Sequence, residues 1–342
     1  MRSIATKIAP EHILAVIVMV FLAIMPGIGL PRAWTLYILL FLIYLAMSNM
    51  WNLVAGYSGM ISLCQPAFLG LAGYTLALGT WVQVPWWAGL IGGAAVAGIF
   101  ALLISLAVFR LSGVYFAIGT LVVPEALRIG FYLWRPVGGS LVGGGAGYTI
   151  KNISSLGIQE IYWLALIIAI ISVIAIRIIL RSNLGLGLTA VRDNQRSAAS
   201  SGVNTFRIKL YPFVISAIIT GLAGAVFFLY LQYIEPVSTF NVKWTMIILL
   251  ATVIGGLRTE GGPIIGSIVV VFLHFLLAKY GDYSLLIQGV ILIVIMLLSP
   301  QGLVGIAKKS RYFQVILDFL RRPFFSSKPL SGENTKVEQI AR

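Results

Sequence analysis

The chain has 342 residues, of which 59% are hydrophobic and only 10% charged, with a mean hydropathy of +0.99 and a net charge of +14. Soluble domains average about 45–50% apolar and about 25% charged residues, so a water-soluble globular fold is excluded. The single cysteine, Cys64, excludes an intrachain disulfide framework.

Repeated apolar runs approach the roughly 20 residues that cross a bilayer, and the short alternating segments of a β-barrel are absent. The pattern predicts an all-α, polytopic transmembrane bundle. The first run, Ile13 to Leu30, follows Arg2 and Lys7 in the manner of a signal peptide. It has no small-x-small cleavage site and reads as a retained anchor. Nine further runs follow at 34–54, 62–80, 87–109, 113–134, 161–180, 210–233, 243–258, 262–279 and 284–301, about ten spans in all. The run 62–80 opens on Ser62, Gln65 and Pro66, and the short pair 243–258 and 262–279 is joined by GGLRTEGGP, Gly255 to Pro263. These three are candidates for broken or re-entrant helices, tolerated where protein or a water-filled cavity covers the backbone.

Lysine and arginine set the orientation. With an inner N-terminus, 17 of the 24 basic residues fall on the cytoplasmic side and five on the other, with Arg128 and Arg177 inside spans. Both termini are then cytoplasmic. The positive charge reflects inner loops facing cytoplasm and anionic lipid, and it requires no nucleic-acid partner. Residues 1–308 form the transmembrane domain, with a cytoplasmic loop at 181–209. Residues 309–342 form a basic, partly disordered cytoplasmic tail.

That loop contains AVRDNQRSAASSGVN, Ala190 to Asn204. A structureless loop of such length is uncommon, which predicts helix. Asn183 can cap its start. Val191, Gln195, Ala198 and Gly202 fall on one face, Arg192 and Arg196 flank it, and Asp193 stands three residues before Arg196. Gly202 is the expected stop. Chemistry alone leaves two readings, a solvated interfacial helix and a docking element whose Ala198, Ala199 and Gly202 admit another backbone.

The segment Ser182 to Phe227, SNLGLGLTAVRDNQRSAASSGVNTFRIKLYPFVISAIITGLAGAVF, resembles the LivM-type permeases of branched-chain amino acid ABC importers. Four other blocks match in order: Asn52–Thr75, Leu111–Ile129, Val253–Val269 and Leu298–Ile306. The sequence departs from the usual pattern at Cys64, Gln65 and Pro66 after Ser62–Leu63. It departs again at Gln195, where an acidic residue is usual, and at VGGGAGY, Val142 to Tyr148. The resemblance implies a pathway shared with a sister permease subunit. It also implies two cytoplasmic ATP-binding subunits docked on the 181–209 loop, an extracytoplasmic substrate-binding protein, and residence in a prokaryotic plasma membrane. Urea and short-chain amide permeases share the same blocks. The chain itself has no phosphate-binding loop of the G-x-x-x-x-G-K-[ST] type, no candidate triad and no expected cofactor.

Glu125 is the one carboxylate well inside a span, with Arg128 three residues on and Pro124 before it. Such a group pairs or faces a cavity. It is either a pathway residue or half of a structural pair at a helix interface, the commoner case. Ser62, Gln65, Pro66 and Tyr74 lie in a run that could expose backbone dipoles to a pathway or form a small-residue packing seam through Gly70 and Gly73. His274 is alone in an apolar span, which suits a hydrogen-bonded packing role rather than a metal. Trp86, Trp87, Trp134 and Trp163 fit an interfacial aromatic belt. A stand-alone transporter or channel would need ion-coupling carboxylates in several spans, and a membrane enzyme would need paired catalytic residues at one depth.

Overall fold

The computed structural model describes residues 31–309 except 139–141, 152, 154, 155, 282 and 299–301, together with residues 24 and 25. The predicted span 13–30 and the tail 310–342 lie outside the described residues. The described residues form helices joined by loops, with one two-residue strand pair. Seven helical stretches among the described residues are long and apolar enough to cross a membrane.

Helix α1, Arg32–Trp51, follows Pro31 and continues into a π-helical turn, Asn52–Tyr57. Helix α2 is Gln65–Trp81, α3 Trp86–Val108, α4 Val114–Leu133 and α5 Ile158–Arg181. Two short helices follow, α6 Asn183–Asp193 and α7 Gln195–Ser200, and then the long α8, Thr205–Leu231. A single turn, α9 Pro236–Thr239, leads into α10 Val242–Gly255, α11 Gly262–Leu277, α12 Tyr283–Leu298 and α13 Gly302–Lys309.

Helix α8 packs against both halves of the bundle. It packs with α2 and α3 on one side and with α1 and α5 on the other, and α1 also carries α10 and α11. Lipid tails are as apolar as leucine, so such helices associate through close packing rather than expulsion of water. Small residues make that packing possible. A Cβ at Gly93 would stand 2.6 Å from the Ala72 carbonyl oxygen, and one at Gly266 only 1.6 Å from that of Ala251. The α10–α11 pair therefore crosses backbone to backbone. Ile99, Leu103, Ile171, Ile178, Phe272 and Ile293 point outward from α3, α5, α11 and α12, an apolar belt that water would not tolerate but lipid does.

The three candidate broken runs are continuous helices from Gln65, Val242 and Gly262. They are short instead. At about 1.5 Å per residue, α10 and α11 reach only about 21 and 24 Å, less than the ~30 Å hydrocarbon core. Pro66 does not break α2 because it sits in the first turn, where its missing N–H costs nothing.

Loops alternate between two ends. Residues 58–64, 109–113, 182–204 and 256–261 gather at one, here called the basic end for Arg110, Arg181, Arg192, Arg196, Arg207, Lys209 and Arg258. At the other, Tyr148–Thr149 pairs antiparallel with Tyr233–Ile234. The Trp81 indole N–H donates to the Thr149 carbonyl at 2.8 Å, and Lys151 lies over its ring. Trp87, Trp134 and Trp163 are exposed at this opposite end.

Candidate functional site

At the basic end, Asn52 ties α1 to the α10–α11 turn. Its side-chain N–H donates to the Thr259 carbonyl at 3.0 Å, and its oxygen accepts from the Arg258 amide at 3.0 Å. Arg177 of α5 reaches the same turn, donating from Nε to Glu260 at 3.1 Å. The sequence reading missed this clamp. The available signal was an amide in a largely apolar run, with a glycine-rich turn far along the chain.

The loop 182–204 is helical but divided. Helix α6 does begin at Asn183, yet its capping position is Ser182, whose hydroxyl donates instead to the Ile179 carbonyl. The chain then turns extended at Asn194 (φ −155°, ψ 101°), and the Asn194 side chain accepts from the Ser197 amide, starting α7. The single face expected for Val191, Gln195, Ala198 and Gly202 is therefore not formed. An asparagine competes with the helix through its own side chain, which periodicity does not register.

Val191 and Ala198 point inward and are buried, whereas Gln195, Arg196, Ala199 and Gly202 are exposed. Gly202 has φ +86° and ends α7, with the Val203 amide bonded to the Ala198 carbonyl at 3.0 Å. Asp193 bonds its neighbour Arg192 at 2.8 Å rather than reaching toward Arg196. Gln195 accepts from Lys209 at the base of α8 at 2.6 Å. The Arg192 stem packs on Gly59, in the α1–α2 connection. A cavity of about 430 Å³ opens here, bounded by Gly59, Ile61, Leu111, Val114, Arg192 and Lys209. It separates the loop from the base of α4. That base is Gly113, at φ +56° and ψ −127°, a conformation that side-chain-bearing residues rarely adopt.

Ser62, Gln65, Pro66 and Tyr74 lie inside the bundle rather than on an open surface. Ser62 is fully buried, its carbonyl accepts from the Trp51 indole at 2.8 Å, and its hydroxyl lies 3.0 Å from the Cys64 sulfur. Gln65 donates to Ser216 at 3.4 Å, and its side-chain oxygen is buried with no partner among the described residues. Tyr74 stands toward the opposite end. Its ring stacks on Phe240 at 5.8 Å and meets Phe131 of α4 at 4.3 Å, and its buried hydroxyl likewise has no partner among the described residues. The structure thus brings Ser62, Gln65 and Pro66 together and sets Tyr74 apart. Among the described residues His274 is exposed on α11 rather than packed.

Helix α4 is sparsely covered, with only Phe116, Thr120 and Pro124 buried. Glu125 and Arg128 lie near its middle and form a two-point pair: Arg128 Nε donates to Oε2 at 2.9 Å and Nη2 to Oε1. Their side chains remain 52% and 33% exposed, so no other described helix shields the pair. Val122 and Ile129 flank it, both exposed. Among the described residues the pair is not sandwiched between two helices.

Residues 34–298 match the family model described as the permease component of branched-chain amino acid transport systems. The chain is 28% identical to the high-affinity branched-chain amino acid transport system permease protein LivM of Salmonella typhimurium and to that of Escherichia coli. Each alignment covers 78% of this chain and 69% of the relative. It is 27% identical to the corresponding LivH permease of Escherichia coli over 43% of this chain and 47% of that protein. No solved structure matches. These matches favour an amino-acid permease over a urea or amide permease, and the family is one of transport permeases rather than an enzyme class. A multi-pass helical bundle whose residues 34–298 match that model belongs to the family of branched-chain amino acid ABC-importer permeases.

Proposed function

We propose that this chain forms one half of the pathway of a prokaryotic plasma-membrane importer for branched-chain amino acids. Its partners are a sister permease, two cytoplasmic ATPases and an extracytoplasmic binding protein. The observation that carries this reading is the continuous family match over residues 34–298, which includes the divided helical loop at the basic end. Similarity to both LivM and LivH relatives supports a two-permease assembly.

The basic end faces the cytoplasm on the positive-inside rule, and ten spans with both termini inside follow if 13–30 also crosses. Arg192, Asp193, Gln195, Arg196, Ala199 and Gly202 present the ATPase-docking surface, and Ala198 anchors it from within. Motion there reaches the base of α4 through Arg192, Lys209 and the cavity beside Gly113. The uncovered face of α4 with Glu125 lines the pathway, completed by the sister subunit. An ion pair left half-exposed at mid-membrane needs water, protein or substrate against it. Ser62, Gln65, Pro66 and Tyr74 support that helix from behind: the Leu63 amide donates to Thr120 of α4 at 3.0 Å, and Tyr74 touches Phe131.

Proteoliposomes holding the full assembly test this. ATP-dependent leucine accumulation is expected only with both ATPases and the binding protein. Uptake by the chain alone would instead indicate a stand-alone transporter, and uptake of urea without leucine would overturn the substrate class.

A further inference from the structure

We propose that Glu125 and Arg128 together are the site that takes the charged end of an amino-acid zwitterion in passage. Their mutual ion pair is exchanged for two pairs with the substrate, Arg128 with the α-carboxylate and Glu125 with the α-ammonium. This rests on the reading of the chain as an amino-acid permease and adds to it a binding site and a selection rule.

The geometry carries the idea. The two opposite charges lie side by side on one exposed face near the middle of α4, and the Arg128 fork already holds a carboxylate at two points. A planar guanidinium of this kind accepts another carboxylate in the same manner. A free zwitterion likewise carries one cation and one anion close together, so exchange leaves no charge alone and brings no net charge into the membrane. Breaking the pair for a single-charge ligand would strand one partner, which is expensive away from water. An uncharged urea or amide offers only dipoles in return for a full ion pair. Ile118, Val122 and Ile129 are exposed on the flanking turns, an apolar surface suited to an aliphatic side chain. Pro124, directly before Glu125, is buried and holds this part of α4 against the bundle.

The test uses the complete importer in nanodiscs and in proteoliposomes. The melting temperature of the wild-type permease–ATPase complex, measured without the binding protein, should rise with millimolar leucine. It should not rise with 4-methylpentanoate or isoamylamine, which each keep one of the two charges. The doubly neutral variant Glu125→Gln/Arg128→Gln strands no charge and should assemble normally. It should lose the leucine-induced rise, and its leucine uptake should fall at least about tenfold, equivalent to roughly 1.4 kcal/mol, while binding-protein-stimulated ATP hydrolysis continues. No rise with leucine, an equal rise with either one-charge analogue, or uptake by the double variant close to wild type would overturn the proposal. If the double variant fails to assemble, the three ligands on the wild-type complex decide alone. Absence of leucine uptake by the wild-type assembly would defeat the proposed function itself, a result distinct from any of these.

Discussion

Single residues set the tightest constraints at the basic end. Gly266 lets α11 cross α10 with the Ala251 carbonyl where a Cβ would stand. Gly266→Val must push the helices apart, at a cost of about 1–3 kcal/mol or more. A lower melting temperature of the purified permease is expected, and an unchanged one would contradict the close crossing. Asn52 acts differently, since its amide supplies both a donor and an acceptor to the turn Gly256–Gly261. Asn52→Leu leaves the Arg258 amide and the Thr259 carbonyl without that partner. Unsatisfied polar groups of this kind cost about 1–3 kcal/mol each when buried. Because the turn also bears the Glu260 partner of Arg177, hydrogen exchange at 256–261 should quicken in the variant. Both features were visible in outline as a glycine-rich turn and a polar residue in an apolar run. Their pairing, across about two hundred positions of chain, was not.

Among the elements, the loop helices and α4 stand out. In the divided loop 182–204, two adjacent alanines that the sequence placed together take different roles. Ala198 is buried against the permease, while Ala199 is exposed. Ala198→Glu should therefore damage the loop itself and lower the yield of folded permease. Ala199→Glu should leave the permease intact but weaken ATPase copurification. The added charge must lose water on docking, at a cost of about 1–3 kcal/mol, or roughly tenfold or more in affinity. Wild-type copurification and stimulated hydrolysis in Ala199→Glu would reduce this loop to a solvated linker. The α4 case is similar in kind. Hydropathy predicts a helix from about 113 to 134, and the structure gives Val114–Leu133. That the helix would lie almost uncovered, with its ion pair facing out, depends on which other helices pack against it.

For the whole molecule, the loops sort to two ends, and those ends should face opposite sides of the membrane. The native Cys64 is 1% exposed and should stay silent to aqueous thiol reagents. Against that background, Ser201→Cys should label only from the cytoplasm and Val237→Cys only from outside, since both positions are exposed and lie at opposite ends. Labelling of both from one side would break the topology, and labelling of Ser201→Cys from outside would invert it.

The amino-acid sequence by itself determined the class of molecule: a helical membrane bundle, its basic end and its family. Hydropathy, charge placement and motif order are sums over nearby residues, and a bilayer reads those sums directly. Tertiary structure alone decided that Val242–Gly255 and Gly262–Leu277 are short continuous helices rather than broken ones. It also decided that Ser62 and Gln65 are buried while Glu125 and Arg128 are not. Each of these depends on which distant backbone approaches closely enough to satisfy or cover a group. Such contacts are fixed by packing across the bundle, and no local window of sequence contains them.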